Sequence, residues 1–98
     1  MIQISDAELE DISDDFYLLD MYADWCGPCK AVVPVLEELG SELGCKVYKM
    51  DIDSNETPKR LGVRSIPTLG VFKGGELVKL IVGAHSKDNY LNEINGLD

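Results

Sequence analysis

The stretch YADWCGPCK, residues 22–30, places Cys26 and Cys29 three positions apart, with only Gly27 and Pro28 between them. A chain of 98 residues that is 45% hydrophobic can bury one core without a covalent staple. The pair is therefore a disulfide staple, half of a metal site, or a reaction centre. The sequence around the pair has to distinguish these three interpretations.

The sequence on both sides of the pair predicts alternating strands and helices. FYLLDMY, Phe16–Tyr22, is a nearly continuous apolar run, which is typical of a strand buried on both faces. Apolar residues at helical spacing predict a helix over residues 29–43, and Pro34 should kink it. The other predicted elements are a strand over 1–4, a helix over 5–12, a strand over 46–53, a helical turn over 55–62, a β-hairpin over 68–82 and a helix over 86–95.

This order, β-α-β-α-β-α-β-β-α, predicts an α/β fold in which helices flank both faces of a central mixed sheet. No linker, repeat or low-complexity tract interrupts the chain, so residues 1–98 are expected to form a single domain. The inner face of the last helix is predicted from its apolar spacing, and it comprises Tyr90, Leu91, Ile94 and Leu97.

Charge and hydropathy exclude several classes of function. The net charge of −9 argues against nucleic-acid binding, which depends on Lys and Arg neutralising phosphates. No apolar run approaches the roughly 20 residues of a membrane span. The first 15 residues lack the basic and apolar regions of a signal peptide. We therefore expect a cytoplasmic protein, in whose reducing environment a close cysteine pair is more often catalytic or metal-binding than structural.

The spacing of the cysteine pair suits reversible disulfide chemistry. If Cys26 ends a loop and Cys29 lies in the first helical turn, the two residues share one face, about 5–6 Å apart. The free N–H groups of the helix start lower the pKa of the nearby thiol, so Cys26 is the expected nucleophile and Cys29 the resolving thiol. Pro28 stiffens the turn, and Gly27 permits the tight approach.

The two other interpretations of the pair are weaker. A structural zinc ion needs four ligands, and Cys45 and His85 lie on separate predicted elements, so no metal is expected. A staple between residues three apart would constrain the unfolded chain little. Cys45 is instead predicted to be a small, buried or half-buried apolar residue, and His85 to be solvated. The pair is therefore interpreted as a reaction centre.

With these elements in place, the chain resembles the thioredoxin family from Phe16 to its C-terminus. The shared motifs are WCGPCK at 25–30, Pro34 five residues after Cys29, KMDID at 49–53, GVRSIPT at 62–68, FKGGE at 72–76 and VGAHSKDNYL at 82–91. The resemblance implies the thioredoxin fold and a monomeric enzyme without bound cofactor that reduces protein disulfides. It also implies recharging by a thioredoxin reductase, with NADPH or ferredoxin as the electron source. The implied targets are of the peroxiredoxin and ribonucleotide reductase class.

Asp20 is an acid inside the apolar run. Burial of a carboxylate raises its pKa, which would let Asp20 accept the proton of Cys29. The resemblance supports this role, because the family's buried aspartate also stands six residues before the first cysteine. By the same resemblance Lys49 is the lysine beside that acid and tunes it.

A target-binding groove follows from the resemblance. The family carries a cis proline opposite its cysteine pair, and Pro67 in the IPT motif matches that position. A cis bond would leave the Ile66 backbone free to pair with an extended target segment. Trp25, Gly83 and Ala84 would complete the groove, with Trp25 half-exposed beside the reactive cysteine.

The sequence departs from the family pattern at three places. The segment before Phe16 is short, and Tyr22 stands where many members carry a second tryptophan. Gly70 replaces a large apolar residue in a hairpin strand, so we expect a weaker sheet or a close backbone approach there. Two alternatives remain: an electron donor dedicated to one partner such as a peroxiredoxin, and a non-enzymatic partner subunit, which would not need both thiols.

Overall fold

The computed structural model describes residues 1–97, which form five strands and five helices. The strands are β1 (Ile2–Gln3), β2 (Phe16–Tyr22), β3 (Lys46–Asp51), β4 (Thr68–Lys73) and β5 (Glu76–Val82). The helices are α1 (Asp6–Leu9), α2 (Gly27–Ala31), α3 (Val33–Leu43), α4 (Thr57–Arg60) and α5 (Lys87–Asn95).

The strands form one mixed sheet in the order β1-β3-β2-β4-β5. Strands β1, β3 and β2 run parallel, whereas β4 and β5 are antiparallel to their neighbours. Strand β2 is central and buried on both faces, which explains its continuous apolar sequence. Gly74 and Gly75 join β4 to β5 at φ values of 61° and 81°, a conformation that favours glycine.

Helices cover both faces of the sheet, as the sequence predicts. Helices α3 and α5 pack on one face, and α1 and α4 lie against the other. The first face buries Leu18, Val32, Leu36, Leu39, Val47, Leu69, Val71, Ile81, Tyr90 and Ile94. The second buries Ile4, Tyr17, Leu19, Met21, Tyr48, Met50 and Phe72. Alternate residues of β2 therefore serve two separate cores.

The structure corrects several predicted boundaries. The expected single kinked helix is two helices, because the chain breaks at Val32 and α3 restarts with Pro34 in its first turn, where a missing N–H costs little. Helix α1 and strand β3 are shorter than predicted. Leu97 is exposed rather than on the inner face of α5, because that helix ends at Asn95.

Gly70 lies where the backbone approaches three side chains closely. A Cβ atom added there would lie 3.1 Å from Phe72, 3.3 Å from Leu77 and 3.3 Å from Met21. Phe72 stacks on Tyr17 with ring centroids 4.7 Å apart, and this aromatic pair occupies the neighbouring space. The expected close approach is confirmed, since any larger side chain would have to displace packed neighbours.

We expect Gly70→Val to destabilise the fold by about 1–3 kcal/mol, because overpacking a full core forces neighbouring side chains out of their rotamers. Urea unfolding measures the change. Gly96→Val is the matched control, since Gly96 is exposed and a Cβ there meets only ordinary contacts. Equal stability of the two variants would contradict this account of Gly70.

Candidate active site

The cysteine pair lies at the start of α2. Cys26 is the N-cap residue, and its Sγ accepts a hydrogen bond of 3.2 Å from the backbone N–H of Cys29. The two residues form a disulfide across a Cα–Cα distance of 5.3 Å. Pro28 occupies the first helical turn, where its missing N–H costs nothing. The local sequence thus holds two sulfur atoms at bonding distance.

The surroundings of the pair favour a thiolate at Cys26 in the reduced protein. The N–H of Cys29 points at the Cys26 sulfur, and a helix N-terminus stabilises negative charge. Cys26 is 6% exposed and Cys29 is 2% exposed. Cys26 is thus the less buried residue of the pair and the one that caps the helix.

Asp20 is buried in the middle of the central strand β2. It is 2% exposed, and its Oδ1 atom has no hydrogen-bond partner among residues 1–97. Burial raises the pKa of Asp20 from 3.8 to about 7, while the neighbouring Lys49 opposes that rise. Lys49 is paired with Asp20 in the β2–β3 register. Burial of the acid, which the sequence predicts, is confirmed.

A cavity of about 150 Å³ connects the acid to the resolving thiol. Asp20, Cys29 and Lys49 all line it, together with Tyr22. This volume exceeds the share of one water molecule, roughly 30 Å³, and Asp20, Lys49 and Tyr22 contribute polar atoms to a mostly apolar lining. Asp20 and Cys29 therefore line the same partly open pocket.

The loop before β4 and the loop after β5 meet beside the pair. The Ile66–Pro67 bond is cis, as the resemblance implies, and Ile66 packs against the buried cysteines. The N–H of Gly83 donates to the carbonyl of Pro67 at 2.8 Å. Tyr90 holds the same turn, because its hydroxyl donates to the Gly83 carbonyl at 2.8 Å. Ala84 follows as an exposed residue.

Trp25 precedes Cys26 and forms an exposed wall beside the pair. It is 69% exposed, and its Nε1–H donates to Asp53 Oδ2 at 2.8 Å. A groove of about 500 Å³ runs from this tryptophan past Asp53 to Ile66, with Lys59 and Arg64 in its lining. We call it the Trp25 groove.

Sequence reasoning missed Asp53, although a signal was present. Strands β2 and β3 are parallel neighbours, so the residues that follow their carboxyl ends meet at one edge of the sheet. Trp25 follows β2, and Asp53 follows β3. That placement brings the two residues to the same edge of the sheet, and the tertiary structure then sets the contact between the indole N–H and the carboxylate.

The prediction that His85 is solvated holds only in part. The residue is only partly exposed, its Nε2 atom lies 2.6 Å from the Val82 carbonyl, and its Nδ1 atom lies 3.0 Å from the Asn89 amide nitrogen. The ring also packs edge-on against Tyr90. The turn at Gly83 folds His85 back onto α5, an effect that no local pattern shows.

Cys45 lies half-buried against the core under α3 and α5, as predicted, and burial raises the pKa of its thiol.

Within the part of the chain that the structure describes, no group of three or more His, Cys, Asp or Glu side chains is arranged to hold a metal ion.

Comparison with known proteins places this geometry in a family. The family model described as Thioredoxin matches residues 3–96. This chain belongs to the thioredoxin family. It is similar to the thioredoxin of Haemophilus influenzae, with 46% identity over 97% of this chain and 94% of that protein. The thioredoxin of Bacillus subtilis is 48% identical over 85% of this chain and 83% of its own length. A solved structure of a mutant thioredoxin from Halobacterium salinarum superimposes with a TM-score of 0.87 at 37% identity, covering 98% of this chain and 88% of the other.

Membership in the thioredoxin family and the bonded Cys26–Cys29 pair together establish the activity: the chain is a thiol–disulfide oxidoreductase. Its partners are, in general kind, proteins that contain disulfides and a reductase. Neither a dedicated single-partner donor nor a non-enzymatic subunit is favoured. None of the helices over residues 1–97 is long and apolar enough to cross a membrane.

Proposed function

We propose that this thioredoxin-family enzyme reduces protein disulfides through a fixed division of labour between its two thiols. The Cys26 thiolate attacks one sulfur of the target disulfide and expels the other as a thiolate. Cys29 then attacks the Cys26 sulfur, which releases the second target thiolate and leaves Cys26 and Cys29 disulfide-bonded. Two electrons pass to the target. The hydrogen bond from the Cys29 N–H to the Cys26 sulfur carries this assignment.

Asp20 accepts the proton of Cys29 in the second step, in this proposal. The shared cavity and the raised pKa of about 7 support the role, because a base works best when its pKa lies near the working pH. Lys49 keeps the carboxylate form accessible by opposing the effect of burial. Gly27 and Pro28 set the spacing of the two sulfur atoms.

Target binding is assigned to the groove beside the pair. The Ile66 backbone precedes the cis Pro67 and would pair with an extended target segment, an edge-addition mode of recognition. Trp25 is exposed, Gly83 donates a hydrogen bond to the carbonyl of Pro67, and Ala84 follows as an exposed residue. A protein target would thus lie across the sulfur atoms with its backbone held.

The proposal extends to the setting in which the enzyme works. Residues 1–98 would act as one domain and as a monomer in the cytoplasm, without a bound cofactor. A thioredoxin reductase would return the disulfide to the dithiol with electrons from NADPH or ferredoxin. Targets would belong to the peroxiredoxin and ribonucleotide reductase class.

Insulin reduction tests this function directly. In the presence of dithiothreitol the protein should accelerate precipitation of the insulin B chain well above the rate with reductant alone. Replacing dithiothreitol by an NADPH-dependent or a ferredoxin-dependent thioredoxin reductase should identify the electron donor. Cys45→Ser is the control and should retain the activity, because Cys45 lies against the core rather than at the pair. Precipitation no faster than with dithiothreitol alone would contradict the proposal.

A further inference from the structure

The carboxylate of Asp6 is bound to a loop about fifty residues away. Its Oδ1 accepts hydrogen bonds from the backbone N–H of Thr57 at 2.8 Å and from the Thr57 hydroxyl at 2.5 Å. Its Oδ2 accepts from the backbone N–H of Glu56 at 2.8 Å. Glu56 is the N-cap of α4 but makes no side-chain cap of its own. Asp6 therefore caps α4 from the beginning of the chain.

Asn55 adds a hydrogen bond in the opposite direction, because here Asp6 is the donor and the loop residue is the acceptor. Its Oδ1 accepts from the backbone N–H of Asp6 at 2.8 Å, and its Nδ2 donates to the carbonyl of Asp51 at 2.9 Å. The Asp51 carboxylate in turn accepts from the backbone N–H of Asp53 at 2.9 Å. The segment 51–57 is thus held at both ends by side-chain hydrogen bonds.

The same segment carries the hydrogen bond to Trp25. Asp53 Oδ2 accepts from the Trp25 indole, whose side chain is otherwise exposed and has little packing to orient it. A chain of hydrogen bonds therefore runs from the backbone N–H of Asp6 through Asn55 and Asp51 to Asp53 and Trp25, while the Asp6 carboxylate holds the other end of the same segment at Glu56 and Thr57. The orientation of the exposed ring depends on where this segment lies.

The charge on Asp6 strengthens the hydrogen bonds that its carboxylate accepts from Glu56 and Thr57. The Thr57 hydroxyl and the Glu56 N–H hold the pKa of Asp6 below its usual value, so the group is ionised at neutral pH. Hydrogen bonds to an ionised carboxylate are stronger than neutral ones. Thr57 itself is 5% exposed, so the partner of the carboxylate is fixed in the fold.

We infer that Asp6 is a positioning residue for target reduction: it holds segment 51–57 in place, and through Asp53 it orients the Trp25 wall of the groove. The inference rests on the proposed function, because it assigns the Trp25 groove to protein targets. It does not involve the thiol chemistry, since Asp6 contacts neither cysteine. Loss of the Asp6 carboxylate should therefore loosen Trp25 and weaken target binding without slowing the reaction of a small disulfide.

Trp25 provides a direct readout, because it is the single tryptophan of the chain. Its indole N–H gives one resonance in a nitrogen-edited NMR spectrum, and the hydrogen bond to Asp53 slows exchange of that proton with solvent. In Asp6→Ala the exchange rate should rise about fivefold, because loss of the cap frees segment 51–57 and with it the Asp53 carboxylate. Asp6→Asn keeps an acceptor oxygen and should recover part of the protection.

Asp11→Ala is the matched control. It removes the same charge from the same end of the chain, and the structure gives its exposed carboxylate no hydrogen bond within residues 1–97. Its indole exchange should equal that of the unaltered protein. A rise in this variant equal to that of Asp6→Ala would assign the effect to net charge and overturn the inference.

Steady-state kinetics distinguish a positioning role of Asp6 from a role in the thiol chemistry. For insulin, Asp6→Ala should raise KM by roughly two- to tenfold, the factor that one lost hydrogen bond supports, with kcat little changed. The rate with 5,5′-dithiobis(2-nitrobenzoate), a small disulfide that needs no groove, should not change. Asp53→Ala should show the same effect on KM, and adding Asp6→Ala to it should raise KM no further.

Several results would overturn the inference. Unchanged indole exchange in a folded Asp6→Ala protein would show that Asp6 does not orient Trp25. Fully additive increases in KM from the Asp6 and Asp53 changes would show that Asp6 does not act through Asp53. If Asp6→Ala does not fold, Asp6→Asn and Asn55→Ala replace it in both measurements. An unaltered protein that fails to reduce insulin contradicts the proposed function, while the indole exchange still decides the positioning role.

Discussion

Cys29→Ser should trap target proteins as mixed disulfides on Cys26, whereas Cys26→Ser should trap none. The Cys26 sulfur caps α2 and is the less buried of the pair, so it reacts first with a target. Without the second thiol, the mixed disulfide cannot be resolved from within the protein. Without the first, Cys29 is too buried to begin the exchange. Both variants should therefore lose catalytic insulin reduction down to the background of the chemical reductant.

Non-reducing electrophoresis after incubation with oxidised insulin measures the trapping. Mass spectrometry should place the adduct on the peptide that contains Cys26, and the adduct should disappear on addition of dithiothreitol. Cys45→Ser in each variant removes the third cysteine and controls for adducts formed there. Equal trapping by Cys26→Ser and Cys29→Ser would mean that the two sulfur atoms are interchangeable, against the assignment made from their positions on α2.

Asp20→Asn should stabilise the fold at neutral and alkaline pH. The folded pKa of about 7 lies above the ordinary value of 3.8, because burial penalises the charged form. The folded protein therefore binds more protons than the unfolded chain between these values, and stability falls as the pH rises from about 4 through about 7. Below about pH 4 the stability that the raised pKa of Asp20 contributes is fully present. The amide of Asp20→Asn keeps the shape of the side chain and cannot ionise, so the variant does not lose this stability as the pH rises.

The size of the stabilisation follows from the pKa. One pKa unit corresponds to about 1.4 kcal/mol, so the rise from 3.8 to about 7 sets a ceiling of about 4 kcal/mol. Water that enters the cavity would lower the gain to about 1–3 kcal/mol. Urea unfolding at pH 5 and at pH 8 measures it, and the difference between Asp20→Asn and the unaltered protein should be larger at pH 8.

The same substitution should slow resolution of the mixed disulfide. It removes the group proposed to accept the proton of Cys29, and general-base catalysis contributes about 10²–10⁴-fold, which sets the upper limit of the loss. Single-turnover reduction of insulin should show the slower step, and its dependence on pH near 7 should disappear. Asp15→Asn, a change at an exposed acid, should alter neither stability nor rate. An Asp20→Asn protein with unchanged stability and turnover would contradict both roles.

Much of the fold was predictable because its signals are local. The apolar run of β2 marks a strand with two buried faces, and the structure places the strand over the same residues, Phe16–Tyr22. The spacing of Cys26 and Cys29 at a helix start determines their distance within one turn. Burial of Asp20 follows from its place inside that strand, whatever the partners of the strand are.

The resemblance added what local patterns do not show. Nothing in the residues around Pro67 indicates a cis bond, since most prolines are trans, and the match to the family motif made the prediction that the structure confirms. The resemblance likewise predicted that Lys49 lies beside Asp20. Local sequence does not show this, because the pairing depends on the register between β2 and β3, about thirty residues apart in the chain.

The sequence by itself determined which segments are strands and helices, which of them are buried, and which two residues carry the redox chemistry, because each of these depends on spacing within a few residues. Only the tertiary structure decided that Asp6 caps α4, that Asp53 binds Trp25, and that His85 folds back onto α5. The first two contacts join residues far apart in the chain, and that of His85 depends on how a turn folds back. The contacts of Asp6 and Asp53 form only when packing of the sheet and helices has brought distant segments together, so spacing within a few residues does not specify them.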